Sequence, residues 1–128
     1  DVLDFVRHVD GWLCGGVSPE VAALAEMTGL SQRQLERRCK SLYGAPPKLL
    51  ARKYRALRAA VALVADGATF ADVAGRGFYD QSHMIREIKQ FTGFTPGQIK
   101  AEPTILAQLT IANRHALGDE VHPIISRT

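Results

Sequence analysis

One set of polar side chains occurs twice in this chain at the same spacing. Each set contains a glutamine, an arginine and a lysine, and the two sets lie 49 positions apart: Gln32, Arg37 and Lys40, then Gln81, Arg86 and Lys89. An arginine can form two hydrogen bonds with a guanine edge, a glutamine can do the same with an adenine, and a lysine can neutralise a phosphate. The repeated set therefore predicts contact with nucleic acid at two places along the chain.

Some of these side chains also have simpler interpretations. A glutamine near the start of a helix, such as Gln32 or Gln81, often only caps that helix. Glu36 can accept a hydrogen bond from cytosine, but an acid on this face also repels phosphates. It can instead pair with Arg33 or Lys40 at helical spacing. Both interpretations stay open for each of these residues.

Positive charge is concentrated in the middle of the chain. Residues 31–58 contain nine lysines and arginines against one acid, whereas the rest of the sequence contains seven against twelve. A charge distribution of this kind is typical of a surface that faces phosphates. From this block and the second copy we take six candidate phosphate contacts: Lys40, Lys48, Arg52, Lys53, Arg55 and Lys89.

The elements that position these side chains are predicted to be two helix-turn-helix units. The segment Leu24–Gly44 is echoed by Val73–Gly93, with apolar residues at matching positions. Each copy reads as a short helix, a turn containing glycine, and a second helix with a basic outer face. Ser31 and Gln34 form a predicted capping box at the start of that second helix in the first copy. Such units place a recognition helix in the DNA major groove.

The remaining helices complete an all-α architecture. Apolar spacing predicts a helix over residues 2–13, and Ser18–Pro19 is predicted to start the next one with the serine as N-cap. A long helix runs from Pro46–Pro47 to Asp66–Gly67 and spans roughly 30 Å. The predicted organisation is a first subdomain at 1–45, this linker helix at 46–67, a second subdomain at 68–101, and a C-terminal extension at 102–128 that is partly helical or disordered.

Several functional classes are not supported by the sequence. It contains no nucleophile paired with a base, no metal-ligand spacing and no glycine-rich phosphate loop, so we expect neither an enzyme nor a bound metal or cofactor. No apolar run approaches the length of a membrane span. Because the chain opens at Asp1 without an initiator methionine, we expect it to be a piece of a longer protein.

The residues of the two copies and of the linker helix resemble those of a known family, the AraC/XylS regulators of bacterial transcription. The second copy carries one part of the likeness, in the run Gly77–Met84 followed by Arg86, Lys89, Gly93 and Thr95–Pro96. The first copy and the linker are similar at further positions: Leu24, Ala25, Gly29, Ser31, Leu35, Arg37, Lys40, Gly44, Pro47, Arg52, Arg55, Arg58, Ala59 and Leu63. The likeness covers residues 17–101.

The resemblance implies a homeodomain-like fold of about seven helices, with two helix-turn-helix subdomains joined by the linker helix. It implies sequence-specific binding of a double-stranded DNA operator. Because the linker helix approaches the length of one turn of B-DNA, about 34 Å, we expect the two recognition helices to lie in successive major grooves. The base-reading positions of the family map onto Gln32, Arg33, Glu36, Arg37, Gln81, Ser82, His83, Ile85 and Arg86. It also implies RNA polymerase as a further partner, a sensor or dimerisation domain on the N-terminal side, and a cytoplasmic location in bacteria.

The sequence departs from the family pattern in ways that motivate an alternative. Arg38 stands where relatives have an apolar residue, and Cys39 replaces a bulky phenylalanine. Ile85 occupies a position that is usually small and polar, which favours contact with a thymine methyl group. The turn from Ala74 to Gly77 is one residue shorter than usual. The alternative function is a helix-turn-helix scaffold that serves mainly in protein interaction, with weakened DNA readout.

Overall fold

The structure, a computed structural model, describes residues 1–15, 19–102, 104–105 and 107–108. Seven α-helices are bounded within this part of the chain, which contains no strand: α1 (Val2–Cys14), α2 (Val21–Thr28), α3 (Gln32–Tyr43), α4 (Pro47–Val64), α5 (Phe70–Ala74), α6 (Gln81–Thr92) and α7 (Pro96–Ala101). Residues 104, 105, 107 and 108 are helical as well, and the rest of the predicted extension lies outside the described residues. The prediction of an all-α fold of about seven helices is confirmed.

The first helix-turn-helix unit consists of α2 and α3, joined by a turn at Gly29. Gly29 has a φ of 70°, a left-handed conformation that residues with a Cβ atom rarely adopt, and it ends α2. The predicted capping box then begins α3. The Gln34 N–H donates to Ser31 Oγ (3.2 Å), and the Ser31 N–H donates to Gln34 Oε1 (2.9 Å). These two bonds satisfy amides that would otherwise lack a partner inside the helix.

The start of α2 differs from the prediction. Pro19 precedes the helix, Glu20 is its N-cap in an extended conformation, and α2 begins at Val21; Ser18, the predicted cap, lies outside the described residues. The indole Nε1 of Trp12 donates to the carbonyl oxygen of Glu20 (2.7 Å). The same carbonyl accepts the first backbone hydrogen bonds of α2. The packing of α1 therefore helps to fix where α2 starts, which local sequence signals do not reveal.

The second helix-turn-helix unit consists of α5 and α6. The Thr69 side chain accepts from the Asp72 N–H (3.1 Å) to cap α5, and the Asp80 carboxylate accepts from the His83 N–H (2.7 Å) to cap α6. Helix α5 has only five residues, whereas α2 has eight. The first helix of the second unit is therefore three residues shorter than that of the first unit.

Helix α4 connects the two units. Its 18 residues give a length of about 27 Å. It ends at Val64, slightly before the predicted end at Asp66–Gly67. Gly67 adopts a φ of 70°, and the Ala68 N–H returns to the carbonyl oxygen of Ala62 (3.0 Å). This turn closes the helix and leads the chain directly into the cap of α5.

Both helix-turn-helix units pack against α4 and share one apolar cluster. From the two units and α7, seven side chains of the cluster are fully buried: Leu24, Leu35, Cys39, Val73, Met84, Ile88 and Ile99. On α4 the buried side includes Leu50 and Leu57, together with alanines at positions 56, 59, 60 and 62. Side chains as small as alanine let a neighbouring helix approach closely. Because both units pack on α4, this one helix supports both α3 and α6.

The two unusual residues of α3 have separate environments. Cys39 is completely buried, and burial raises the pKa of its thiol to about 12. Arg38 is exposed, and its guanidinium carbon lies 5.5 Å from the centroid of the Phe5 ring on α1. A cation in this position is attracted to the face of the ring. Replacing the apolar residue of the family by Arg38 therefore places no charge inside the core.

Candidate nucleic-acid interface

Helix α3 presents one polar face to solvent. Leu35, Cys39 and Tyr43 are buried, so the predicted contact residues of this helix point outward. All five are exposed: Gln32, Arg33, Glu36, Arg37 and Lys40. The Gln32 side-chain amide lies 3.5 Å from Glu36 Oε1 and donates to it. Because Ser31 and Gln34 form the cap of this helix, the Gln32 amide is not used as one.

Helix α6 presents a comparable face, with two differences. Gln81, Ser82, Arg86 and Lys89 are exposed, and Asp80 rather than Gln81 caps the helix. Ile85, however, is half-buried and packs against the apolar cluster. Only part of that side chain is available for a thymine methyl group. The second face is therefore narrower than the first.

The ring of His83 is engaged on both of its nitrogen atoms. Nδ1 accepts a hydrogen bond from the Tyr79 N–H (3.0 Å), and Nε2 lies 3.6 Å from Glu87 Oε1. The ring also packs edge-on against Phe78, with 5.8 Å between the ring centroids. The side chain is 31% exposed. The family resemblance implies base reading by His83, and these contacts give the side chain a second role at the start of α6.

Glu87 forms an ion-pair network between α6 and α4. Its side chain is buried, and Arg52 donates to its two carboxylate oxygens from Nε (3.3 Å) and Nη2 (2.8 Å). Arg55 donates from Nη2 to Oε1 (3.0 Å) and from Nη1 to the carbonyl oxygen of Gly77 (2.9 Å). The two arginines therefore tie the linker helix both to α6 and to the turn that precedes it.

The charged state of this network follows from the balance of burial and hydrogen bonding. Burial alone would raise the pKa of Glu87, but the hydrogen bonds and charges of Arg52 and Arg55 outweigh it and hold that pKa below its usual value. The bond to Glu87 also raises the pKa of the Arg52 guanidinium. At neutral pH the network is thus an ion pair of one carboxylate with two guanidinium groups.

The six predicted phosphate contacts fall into two groups. Lys40, Lys48 and Lys89 are exposed and free to face a ligand from outside. Arg52 and Arg55 are bound to Glu87, and their side chains are 38% and 16% exposed. The second pair thus differs from the lysines in having an internal carboxylate as its partner.

Lys53, one of the six predicted phosphate contacts, does not lie on the exposed surface of the domain. It is 2% exposed, and burial lowers the pKa of its ammonium group. Lys53 lies three residues after Leu50 and four before Leu57, both of which are buried. Residues at this spacing share one face of a helix. In this conformation the ammonium group is turned away from an external phosphate, so Lys53 is left out of the proposed contacts below.

Glu87 was not identified from the sequence, although a signal for it exists. It lies three residues after Met84 and directly before Ile88, on the buried side of α6. A single acid on an apolar face requires a cationic partner, because an unpaired buried charge is very costly. The linker helix carries several arginines. An acid on the apolar face of α6 together with arginines on the linker helix therefore indicates an ion pair between α6 and α4.

A comparison with protein-family models matched residues 24–102 to a helix-turn-helix domain of the AraC type. The matched segment begins within α2 and contains all of α3, the linker helix α4 and the second helix-turn-helix unit. This chain belongs to the AraC-type helix-turn-helix family. Comparisons with curated proteins and with solved structures gave no match.

Membership of the AraC-type family establishes the general function. The domain is a DNA-binding domain of transcription regulation, and the family is not typically enzymatic. The match does not favour the alternative of a protein-interaction scaffold. In the part of the chain that the structure describes, no group of three or more histidine, cysteine or acidic residues is placed to hold a metal ion. No helix among those residues combines the length and apolar character needed to cross a membrane.

Proposed function

We propose that this domain binds double-stranded DNA sequence-specifically by placing α3 and α6 in successive major grooves on one face of the duplex. The observation that carries the proposal is that both helices turn an exposed polar face outward while their apolar faces pack on the same helix, α4. That helix is about 27 Å long, which approaches the turn of B-DNA, about 34 Å. A linker of this length is compatible with two recognition helices that occupy two grooves rather than one.

Base reading is assigned to the exposed residues of the two helices. In α3 these are Gln32, Arg33, Glu36 and Arg37, and in α6 they are Gln81, Ser82 and Arg86. Arginine and glutamine side chains provide the pairs of hydrogen bonds that distinguish guanine and adenine in the major groove. Ile85 and His83 are proposed to contribute less, because both make contacts inside the protein.

Positioning on the duplex is assigned to exposed lysines. Lys40 and Lys89 lie near the C-terminal ends of the two recognition helices, and Lys48 lies in the first turn of α4. Phosphate contacts of this kind supply affinity that does not depend on sequence, and the binding they support weakens as salt concentration rises. We expect the strongest salt dependence to come from these three residues.

The wider setting is proposed from the resemblance to AraC/XylS regulators. A sensor or dimerisation domain on the N-terminal side would control the DNA-binding domain in the bacterial cytoplasm. RNA polymerase would be the partner through which a bound domain alters transcription. Pull-down of the polymerase by the DNA-bound protein tests the second part of this proposal.

Selection of binding sites from a random DNA library tests the groove proposal directly. We expect an asymmetric site with two conserved segments centred about 10 base pairs apart, because one helical turn separates successive major grooves. The site need not be palindromic, since α3 and α6 differ in sequence and lie in one chain. Recovery of a single short segment would show that only one helix reads bases, and failure to enrich any sequence would contradict specific recognition.

A further inference from the structure

The Glu87 carboxylate binds Arg52 in the way that a phosphate would. Nε and Nη2 of the guanidinium group donate to different oxygens of the carboxylate, at 3.3 Å and 2.8 Å. Arginine recognises phosphate groups with this same bidentate geometry. Arg55 adds a third hydrogen bond to the same carboxylate.

Arg52 lies where it could otherwise meet DNA. It lines an open cleft between the two helix-turn-helix units, together with Lys48, Gln32 and His83. Gln32 and His83 stand in the first turns of the two recognition helices. A duplex that contacts both helices therefore passes its backbone across this cleft. The Arg52 side chain, 38% exposed, borders that path.

An external phosphate cannot easily take the place of Glu87. The carboxylate is 3% exposed, and it sits on the packed side of α6. Pulling both arginines away would leave it buried and unpaired, which is strongly unfavourable. Glu87 is also held from its own helix, since His83 Nε2 lies 3.6 Å away. The pairing is therefore expected to persist when the domain meets DNA.

We propose that Glu87 is a specificity-determining residue that occupies Arg52 and Arg55 as an internal substitute for a DNA phosphate. The proposal rests on the groove arrangement given above. By pairing with Arg52 and Arg55 and cancelling one of their two positive charges, Glu87 lowers affinity for DNA of any sequence. It leaves the exposed base-reading residues of α3 and α6 free to contact bases. The ratio of specific to nonspecific affinity rises as a result.

The test compares four proteins: the unchanged chain, Glu87→Gln, Arg52→Ala, and the double variant. Glutamine keeps the size of the side chain and removes its charge. Glu87→Gln should bind a nonspecific duplex more tightly, with a salt slope steeper by about 1, so that the gain shrinks about threefold between roughly 50 and 200 mM salt. In the Glu87→Gln background, Arg52→Ala should abolish this gain. In the presence of Glu87, Arg52→Ala should change the slope little.

Glu26→Gln is the matched control, because Glu26 is an exposed acid on α2 and its loss changes net charge equally. If Glu26→Gln raises nonspecific affinity as much as Glu87→Gln does, the effect is one of overall charge and the proposal fails. It also fails if Arg52→Ala lowers the salt slope equally with and without Glu87, since Arg52 would then contact DNA while paired. Thermal melts show whether each variant is folded. If Glu87→Gln does not fold, Arg52→Ala in the presence of Glu87 still tests the proposal.

A readout without DNA separates this proposal from the proposed function. The salt concentration that elutes each protein from phosphocellulose reports the availability of its cations to phosphate groups. Elution of Glu87→Gln at higher salt than the unchanged chain, reversed by Arg52→Ala, supports the role of Glu87 whatever DNA sequence the domain reads. If elution is the same for both proteins, Glu87 does not mask the arginines. The absence of an enriched DNA site would instead count against the groove arrangement.

Discussion

The Nδ1 atom of His83 accepts a hydrogen bond from the backbone N–H of Tyr79, 3.0 Å away. The acceptor stands in the first turn of α6, and the donor lies in the turn that precedes this helix. With Nδ1 as acceptor, the neutral ring carries its proton on Nε2, which points toward Glu87. His83 thus links the entry of the recognition helix to the ion pair that attaches the helix to α4.

His83→Ala should therefore affect stability more than base preference. Loss of the acceptor for the Tyr79 N–H should lower the free energy of unfolding by about 0.5–1 kcal/mol, measured by chemical denaturation. Ser82→Ala, at the neighbouring exposed position, is the control and should change stability less. If His83→Ala leaves stability intact but alters the selected DNA site as much as Arg86→Ala does, the histidine is a base reader.

Arg37→Ala and Arg86→Ala should relax different halves of the DNA site. Each change removes an exposed guanidinium group from one recognition helix and should cost roughly 1–3 kcal/mol at its own contacted bases. Arg7→Ala removes an equally exposed arginine from α1 and should relax neither half. Affinities for a set of singly substituted sites give the comparison. Loss of preference at the same bases in both variants would contradict the two-groove arrangement.

The Glu87 network should make stability depend on pH in the acidic range. The pKa of Glu87 is lowered in the folded chain by Arg52 and Arg55, so its stabilising contribution is complete above the pKa of an unfolded glutamate, about 4.3. That contribution is lost as pH falls through the lower folded value. Between about pH 6 and pH 3, the unchanged chain should lose more unfolding free energy than Glu87→Gln. Glu26→Gln, altered at an exposed acid, should behave like the unchanged chain; equal losses in all three proteins would refute the prediction.

The second helix-turn-helix unit should open more readily than the first. Helix α5 has five residues against eight in α2, and two glycines follow it, each costing about 1 kcal/mol in helix propensity. In hydrogen exchange, amides from Val73 to Ile88 should exchange faster than those from Leu24 to Cys39, and they should slow when operator DNA is added. The ties from Arg55 to Gly77 and Glu87 oppose this opening, so Arg55→Ala should accelerate exchange in the second unit alone. Equal protection of the two units in the free protein would show that the short turn weakens nothing.

Local signals in the sequence were sufficient for most of the helices. The repeat located both helix-turn-helix units, and Ser31 and Gln34 located the start of α3. The cap of α3 acts through bonds between residues three positions apart, so the local sequence is enough to reveal it. The start of α2 was predicted wrongly because it depends on Trp12, which reaches Glu20 from another helix.

The candidate site was harder to predict because it too depends on contacts between residues that are distant in the sequence. Exposure of Arg37 and Arg86 follows from the apolar stripe of their own helices, which the sequence displays. The pairing of Arg52 with Glu87 joins residues 35 positions apart, and no periodicity within α4 indicates it. Lys53 was assigned to the surface because it is a lysine, although its spacing from Leu50 and Leu57 places it on the buried side. Charge type alone was a poor guide to which cations face outward.

The continuity of α4 has a geometric consequence for how such a domain can change. One residue added within this helix would lengthen it by only about 1.5 Å but would turn everything beyond the addition by about 100°. The angle between α3 and α6 about the helix axis is therefore far more sensitive to insertion than their separation along it. Substitutions on the exposed faces of α3 and α6 can accumulate one at a time, whereas a change in the length of α4 reorients one whole unit at once.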